Sequence, residues 1–151
     1  MGSLTIMLLT YDRLDCAKLT LGSTLVNIIY SGTIRVHIGD DGTKNHEEYI
    51  EELKKLVEPY GYPITVSNSK RDGYGANYNL AVLQVHRDSE SDADLVLPLE
   101  DDWRLIRPLD LSPLVKLFDE VPAVGCIRLG YIGYTQPLRA EFFYAGNLHW
   151  L

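Results

Sequence analysis

Residues that announce a reactive centre are scarce in this 151-residue sequence. It has two cysteines, Cys16 and Cys126, without CxxC spacing and in apolar surroundings. They read as reduced thiols of the core, which argues against a disulfide framework or a thiolate metal site. There is no GxSxG, and Cys16 falls inside a helical segment, so Ser- or Cys-based nucleophilic catalysis has no centre to build on. Neither a complete GxGxxG nor a Gly-Lys-Ser/Thr phosphate loop occurs, which removes the dinucleotide and P-loop signatures. No stretch approaches the roughly 18 apolar residues of a membrane span. The N-terminus has no basic-then-apolar signal pattern, so a cytoplasmic location is the simplest expectation. Positive charge is also in deficit: 14 Lys and Arg stand against 21 Asp and Glu, a formal net charge of −7. Nucleic-acid backbones and anionic membranes would be repelled, and a phosphorylated ligand would need a cation or backbone donors as intermediary.

What is present is a chain long enough for one domain, since this size buries about two-thirds of its unfolded surface. "LTIMLLT" (4–10) is a short apolar run suited to a strand buried on both faces. From Asp12 to about Ile29 the period changes. Leu14, Ala17, Leu21, Leu25 and Ile28 recur at helical spacing, with Asp12 as cap and "SGT" as stop. "IRVHIGD" (34–40) predicts a second strand, and Ile50, Leu53, Leu56 and Val57 a second helix that stops near Pro59. "YPITVSN" is a third strand. "GYGANYNLAVLQVHRDS" is a third helix with Ala76, Leu80 and Leu83 on its buried side. "ADLVLPLE" predicts a fourth, central strand, "LSPLVKLFDE" a short helix, "AVGCIRLGYIGY" a fifth strand and "EFFYAGNLHWL" a closing hairpin. Alternating strands and helices with short turns imply a mostly parallel sheet in a three-layer α/β/α sandwich, and no linker divides residues 1–151.

Ligands of such sheets bind at the carboxyl edge of the strands. Polar clusters fall at four of those edges: Thr10-Tyr11-Asp12-Arg13, Asp40-Asp41-Gly42-Thr43, Ser67 to Gly75, and Glu100-Asp101-Asp102. In the second, Thr43 can cap the next helix, while one carboxylate can accept a nucleobase N–H. In the third, Gly73 and Gly75 precede a helix whose N-terminus offers donors, and Asn77 and Asn79 sit where asparagine adds little to helix stability. In the last, three adjacent carboxylates suit Mg²⁺ or Mn²⁺ shared with a diphosphate; a lone acid or base would not need three. Of the four histidines, His37, His46 and His86 have ordinary structural readings, whereas His149 is either structural or a third metal ligand.

With these pieces in order, the sequence resembles a GT-A glycosyltransferase of the family 2 type. The matching elements are "TYDR" with "TLGSTL", then "IGDDGT", "RDGYGANYNLA" and "LPLEDDW", over roughly residues 4 to 105. The resemblance implies that Thr10, Asp12 and Arg13, with Asp40 or Asp41, line a nucleotide pocket. It implies that Arg71, Gly75 and Asn79 flank the base, ribose or diphosphate. "EDD" falls at the DxD position, so Glu100 and Asp102 would hold Mn²⁺ or Mg²⁺, with Asp102 the direct ligand. Asp101 joins the donor-binding set as the most solvated of the three, and Trp103 contacts a sugar or the acceptor. Two departures stand out: Glu replaces the first Asp, and family members usually continue well beyond this length. Either Glu141 is the base that deprotonates the acceptor hydroxyl, or the chain is a fragment or short member lacking the acceptor half.

The expectation is therefore a metal-dependent, inverting hexosyltransferase-like enzyme using a UDP- or GDP-sugar and an unidentified acceptor. The alternative is a nucleotide- or sugar-binding module without turnover. A sugar-1-phosphate nucleotidyltransferase ranks third, because no glycine-rich, Arg-containing loop follows the first strand.

Overall fold

Strand β1, Leu4–Thr10, has all seven residues buried, as its unbroken apolar run requires. In the computed structural model, which describes residues 2–89, 94–121, 123–127 and 129 and the backbone of 144–145 and 148–149, it lies inside a four-stranded sheet. In chain order, β1 is followed by helix α1 (Leu14–Asn27), the two-residue strand β2 (Ile28–Ile29), β3 (Ile34–Asp40) and α2 (His46–Val57). A 3₁₀ turn (Glu58–Tyr60), β4 (Ile64–Asn68), α3 (Tyr74–Asp88), β5 (Leu95–Glu100) and β6 (Leu109–Asp110) come next. The sheet order is β4-β3-β1-β5 and every pairing is parallel. β2 and β6 form a separate parallel pair.

The period-2 pleat sorts the core. Met7 and Leu9 cluster with Ala81 and Val85, so the odd positions of β1 face α3. The even positions, Leu4, Ile6 and Leu8, are buried on the other side with Ile34, Val36 and Ile38. There α1 packs on β1 and β5, α2 packs on β3, and the two helices pack together. Each fully buried aliphatic contributes roughly 2 kcal/mol. This is an α/β arrangement with a mostly parallel sheet, compatible with a three-layer sandwich.

Several sequence expectations need correction. Among the described residues the fourth strand of the sequence, β5, stands at the end of the sheet and pairs with β1 alone, and its residues alternate between half-buried and exposed. Pro98 has no N–H to give a second neighbour, which suits an edge. α3 is rotated from the expected face. Its buried stripe is Asn77, Ala81 and Val85, whereas Leu80 and Leu83 are exposed. Gly39 explains the rotation, since a Cβ there would lie 3.1 Å from the Ala81 Cβ and 3.2 Å from Asn77 Oδ1. The close seat on β3 admits only the small-residue face of the helix. Asp12 does not cap α1: the cap position is Arg13, without a side-chain cap bond. Asn45, not Thr43, precedes α2. Cys16 and Cys126 are free thiols but exposed, not core, because α1 buries Ala17, Thr20, Leu21, Thr24 and Leu25 instead.

The chain groups into two compact units, Met1–Asp110 and Leu111–Leu151. In the second, α4 (Ser112–Glu120) buries Leu117 and carries a Lys116–Glu120 ion pair at 3.3 Å. Residues 123–127 lie in no strand. Strands β7 (Tyr144–Ala145) and β8 (Leu148–His149) pair antiparallel, as the expected hairpin requires. Among the described residues no helix is long and apolar enough to cross a membrane.

Candidate functional site

The parallel register aligns the carboxyl ends of the strands: Thr10 pairs with Asp40, Asp40 with Asn68, and Leu9 with Glu100. The polar turns that follow β1, β3 and β5 therefore emerge on one rim. A cavity of about 490 Å³ opens there. Leu9 to Arg13 line it from β1, Asp41 from β3, Glu100 and Asp101 from β5, and Tyr74 and Asn77 from the first turns of α3. Four carboxylates (Asp12, Asp41, Glu100, Asp101) face one guanidinium, Arg13.

Asp101 is the hub of this rim. It is only 2% exposed, which reverses the expectation that it is the solvated member of its triplet. Its Oδ2 accepts the Thr10 hydroxyl at 3.0 Å and the Tyr11 N–H at 3.3 Å, and its Oδ1 pairs with the Arg13 guanidinium. Thr10 has one proton and gives it to Asp101, so the buried Tyr49 hydroxyl must donate to Thr10 Oγ1. Burial pushes the Tyr49 hydroxyl up to about 12, with the nearby Asp101 and Asp40 charges adding. The exposed Arg13 guanidinium is raised further above its usual range by Asp101 and then Asp102. Its Nη1 lies 3.8 Å from Asp102 Oδ2, and the Asp102 side chain is 54% exposed. The solvated carboxylate is thus Asp102, beside a buried neighbour. A tight turn after β5 places them so, with the Trp103 N–H reaching back to the Glu100 carbonyl.

The pair after β3 divides its work in the opposite order. Asp40 is fully buried; its carboxylate accepts the Thr43 N–H at 3.0 Å, the Thr43 hydroxyl, and His46 Nδ1–H at 2.7 Å. A carboxylate has no proton to give, so the imidazole nitrogen is the donor. Asp40 does not line the cavity. Asp41 does, and its Oδ1 accepts the Gly73 N–H at 3.1 Å and the Ser69 hydroxyl. Thr43 Oγ1 also accepts the Asp12 N–H at 3.0 Å, tying the β1 turn to the β3 turn.

Backbone strain gathers at the same rim. Asp12, Lys70 and Arg71 have φ of 54°, 55° and 73°, each costing on the order of 1 kcal/mol for a non-glycine residue. Gly42, at φ 79°, is pressed against the Lys70–Arg71 backbone, where a Cβ would sit 2.6 Å from the Arg71 nitrogen. The Arg71 guanidinium stands 5.3 Å from the centre of the Tyr11 ring, a cation–π pair at the mouth of the site.

Of the residues singled out in the sequence, Thr10, Asp12, Arg13, Asp41, Glu100 and Asp101 meet at the cavity, and Arg71 reaches it through Tyr11. Asp40, Gly75, Asn79, Asp102 and Trp103 are not in its wall. Trp103 is 41% exposed and its carbonyl accepts the Thr20 hydroxyl at 2.6 Å. Glu141, the candidate base, lies outside the described residues, and for His149 only the backbone is described. Sequence reasoning passed over Tyr49 and Tyr74, and gave Tyr11 and Asn77 no place among the ligand-binding residues. Asn77 carried a signal, an asparagine inside the first turns of a helix, but its partner Asn79 was chosen and proves exposed.

Among the described residues no cluster of three or more His, Cys, Asp or Glu side chains forms a ready metal site. A hard cation here would need a ligand to complete its shell. Asp102 is exposed at the rim, and Glu100 accepts the Tyr74 hydroxyl at 3.0 Å through one of its two oxygens. One or two carboxylates plus substrate phosphates suffice for Mg²⁺. No family model matches the chain, and no curated protein matches its sequence.

Proposed function

We propose that this rim is the donor site of a metal-dependent glycosyltransferase, which moves a sugar from a nucleotide-diphosphate sugar to an acceptor hydroxyl. One observation carries the reading: the turns after β1, β3 and β5 and the start of α3 deliver their polar residues into one cavity at the carboxyl edge of a parallel sheet. The reading gives the nucleoside to that cavity. Asp41 and Asp101 offer acceptors to its N–H and O–H groups, and the Tyr11–Arg71 pair offers a flat cationic-aromatic surface to a base. Asp102, supported by Glu100, would hold Mn²⁺ or Mg²⁺ against the diphosphate, where the ion offsets charge building on the leaving phosphate. Arg13 places a positive charge beside the same carboxylate.

Calorimetric titration of UDP and GDP, with and without Mn²⁺, tests this. The wild-type chain should bind one of them at least roughly tenfold more tightly with metal, and Asp102→Ala should lose that increment. Equal binding by both proteins, with and without metal, overturns the metal role.

A second reading, a binding module without turnover, is favoured by a specific feature of the wall. Of its four carboxylates, Asp41, Glu100 and Asp101 already accept hydrogen bonds from protein groups, which leaves Asp12 as the one uncommitted candidate base in the wall. Metal-dependent hydrolysis of a nucleotide sugar by the purified chain would rule it out.

A further inference from the structure

Asn77 is 2% exposed, lines the cavity, and carries a buried carbonyl oxygen, Oδ1, with no hydrogen-bond partner. Its orientation is fixed by chemistry: Nδ2 donates to the Gly39 carbonyl at 2.9 Å, and only the amide NH₂ can face a carbonyl. Oδ1 must therefore point away from that bond. On the sheet side it meets the Gly39 backbone, where a Cβ would come within 3.2 Å, in a corner shared with Leu9 and Ala81. None of these groups offers it a donor. A buried acceptor left unmade costs on the order of 1–3 kcal/mol, so such an atom calls for an explanation. The other unpaired buried side-chain oxygen among the described residues, Ser3 Oγ, lies ahead of β1 at the opposite end of the strand, away from the cavity.

We propose that Asn77 is a ligand-recognition residue, whose Oδ1 accepts a hydrogen bond from a neutral N–H or O–H on the nucleoside part of the ligand. The assignment rests on the nucleotide reading of the site. The charge of the wall sets the chemistry: four carboxylates against one guanidinium, itself paired with Asp101, repel a bare anion and favour a ligand surface rich in donors. Ribose hydroxyls and a base N–H have that character; phosphate oxygens do not.

The test is a matched series on the purified chain, with binding measured by calorimetry in the presence of Mn²⁺. Whichever of UDP and GDP binds is compared with its 2′-deoxy, 3′-deoxy and N-methylated-base analogues (N3-methyl for uracil, N1-methyl for guanine). In the wild type one analogue should lose roughly tenfold in affinity. Asn77→Ala and Asn77→Ser should lose the same factor for the parent nucleotide and cease to discriminate against that analogue. Loss on removing a hydroxyl identifies ribose as the donor; loss on N-methylation identifies the base. The wild-type series needs no substitution and can overturn the assignment by itself, while the Asn77 variants assign the discrimination to Asn77 rather than to Asp41 or Asp101. Analogues that all bind like the parent, or discrimination that survives in the Asn77 variants, overturn the assignment while leaving the nucleotide reading standing. A wild type that binds neither nucleotide overturns both.

Discussion

The acidic turns after β3 and β5 are built from the same residue types and serve opposite purposes. After β3 the first aspartate, Asp40, is a strut sealed under the rim, and the second, Asp41, faces the cavity. After β5 the middle acid, Asp101, is buried and faces the cavity at once, while Asp102 goes to solvent. Neighbouring acids in one turn thus share no common fate. What decides is which donors each backbone position meets: Thr43 and His46 for Asp40, Thr10, Tyr11 and Arg13 for Asp101.

The contrast breaks most visibly at the strut. Asp40→Ala removes the acceptor for the Thr43 N–H and hydroxyl and for His46 in a site with no water access, so it should destabilise by roughly 3 kcal/mol. Asp41→Ala strands donors that water can reach and should cost under about 1 kcal/mol. Urea unfolding of the two variants measures the difference; equal losses would mean that Asp40 is no more structural than Asp41.

Acid separates the strand under that strut from the rest. His37, three residues before Asp40, is fully buried beneath α3 and hydrogen-bonds Thr65 and Ser67 through its two ring nitrogens. Burial lowers it from 6.5 to about 4, against a smaller opposing pull from Asp88. As pH falls through 6.5 the unfolded chain takes up this proton and the folded chain does not. Stability is thus intact above 6.5, falls until about 4, and loses about 3 kcal/mol by this route. His37→Gln should remove that segment of the pH–stability curve; a curve unchanged between pH 6.5 and 4 refutes the assignment.

These distinctions show what a sequence can and cannot carry. β1, β3 and the end of α2 were legible because an apolar run, an alternating β-rich segment and Pro59 act locally. The convergence of polar turns on one rim was legible too, since a parallel sheet puts every strand's carboxyl end on the same side. The place of β5 beside β1, at the end of the sheet among the described residues, was not, because strand order is a long-range property. The face of α3 was misread because hydrophobicity favoured Leu80 and Leu83, whereas a glycine 38 residues before Asn77 dictates which side fits. Asp101 and Asp102 could not be told apart, for the same side chain is buried or solvated according to a hydroxyl 91 residues from Asp101.

Alkali gives the smallest effect, read by comparing wild type with a variant of the one tyrosine in the hydrogen-bond chain to Asp101. Tyr49 donates to Thr10, which donates to Asp101, so the phenol's proton begins the chain that holds the buried carboxylate. Its folded-state value is raised from 10.0 to about 12, chiefly by burial. The sign is then the reverse of His37. The neutral phenol is favoured in the fold, its stability is fully present below pH 10, and it drains away as pH rises toward 12, by about 2–3 kcal/mol in all. Tyr49→Phe cannot ionise and should flatten the curve between those values relative to wild type. It also removes the Thr10 partner, so at neutral pH it should cost about 1 kcal/mol. If wild type and Tyr49→Phe lose stability in parallel above pH 10, Asp101 is held by Arg13 and the Tyr11 N–H without help from the tyrosine, and the two acidic turns differ less than their burial implies.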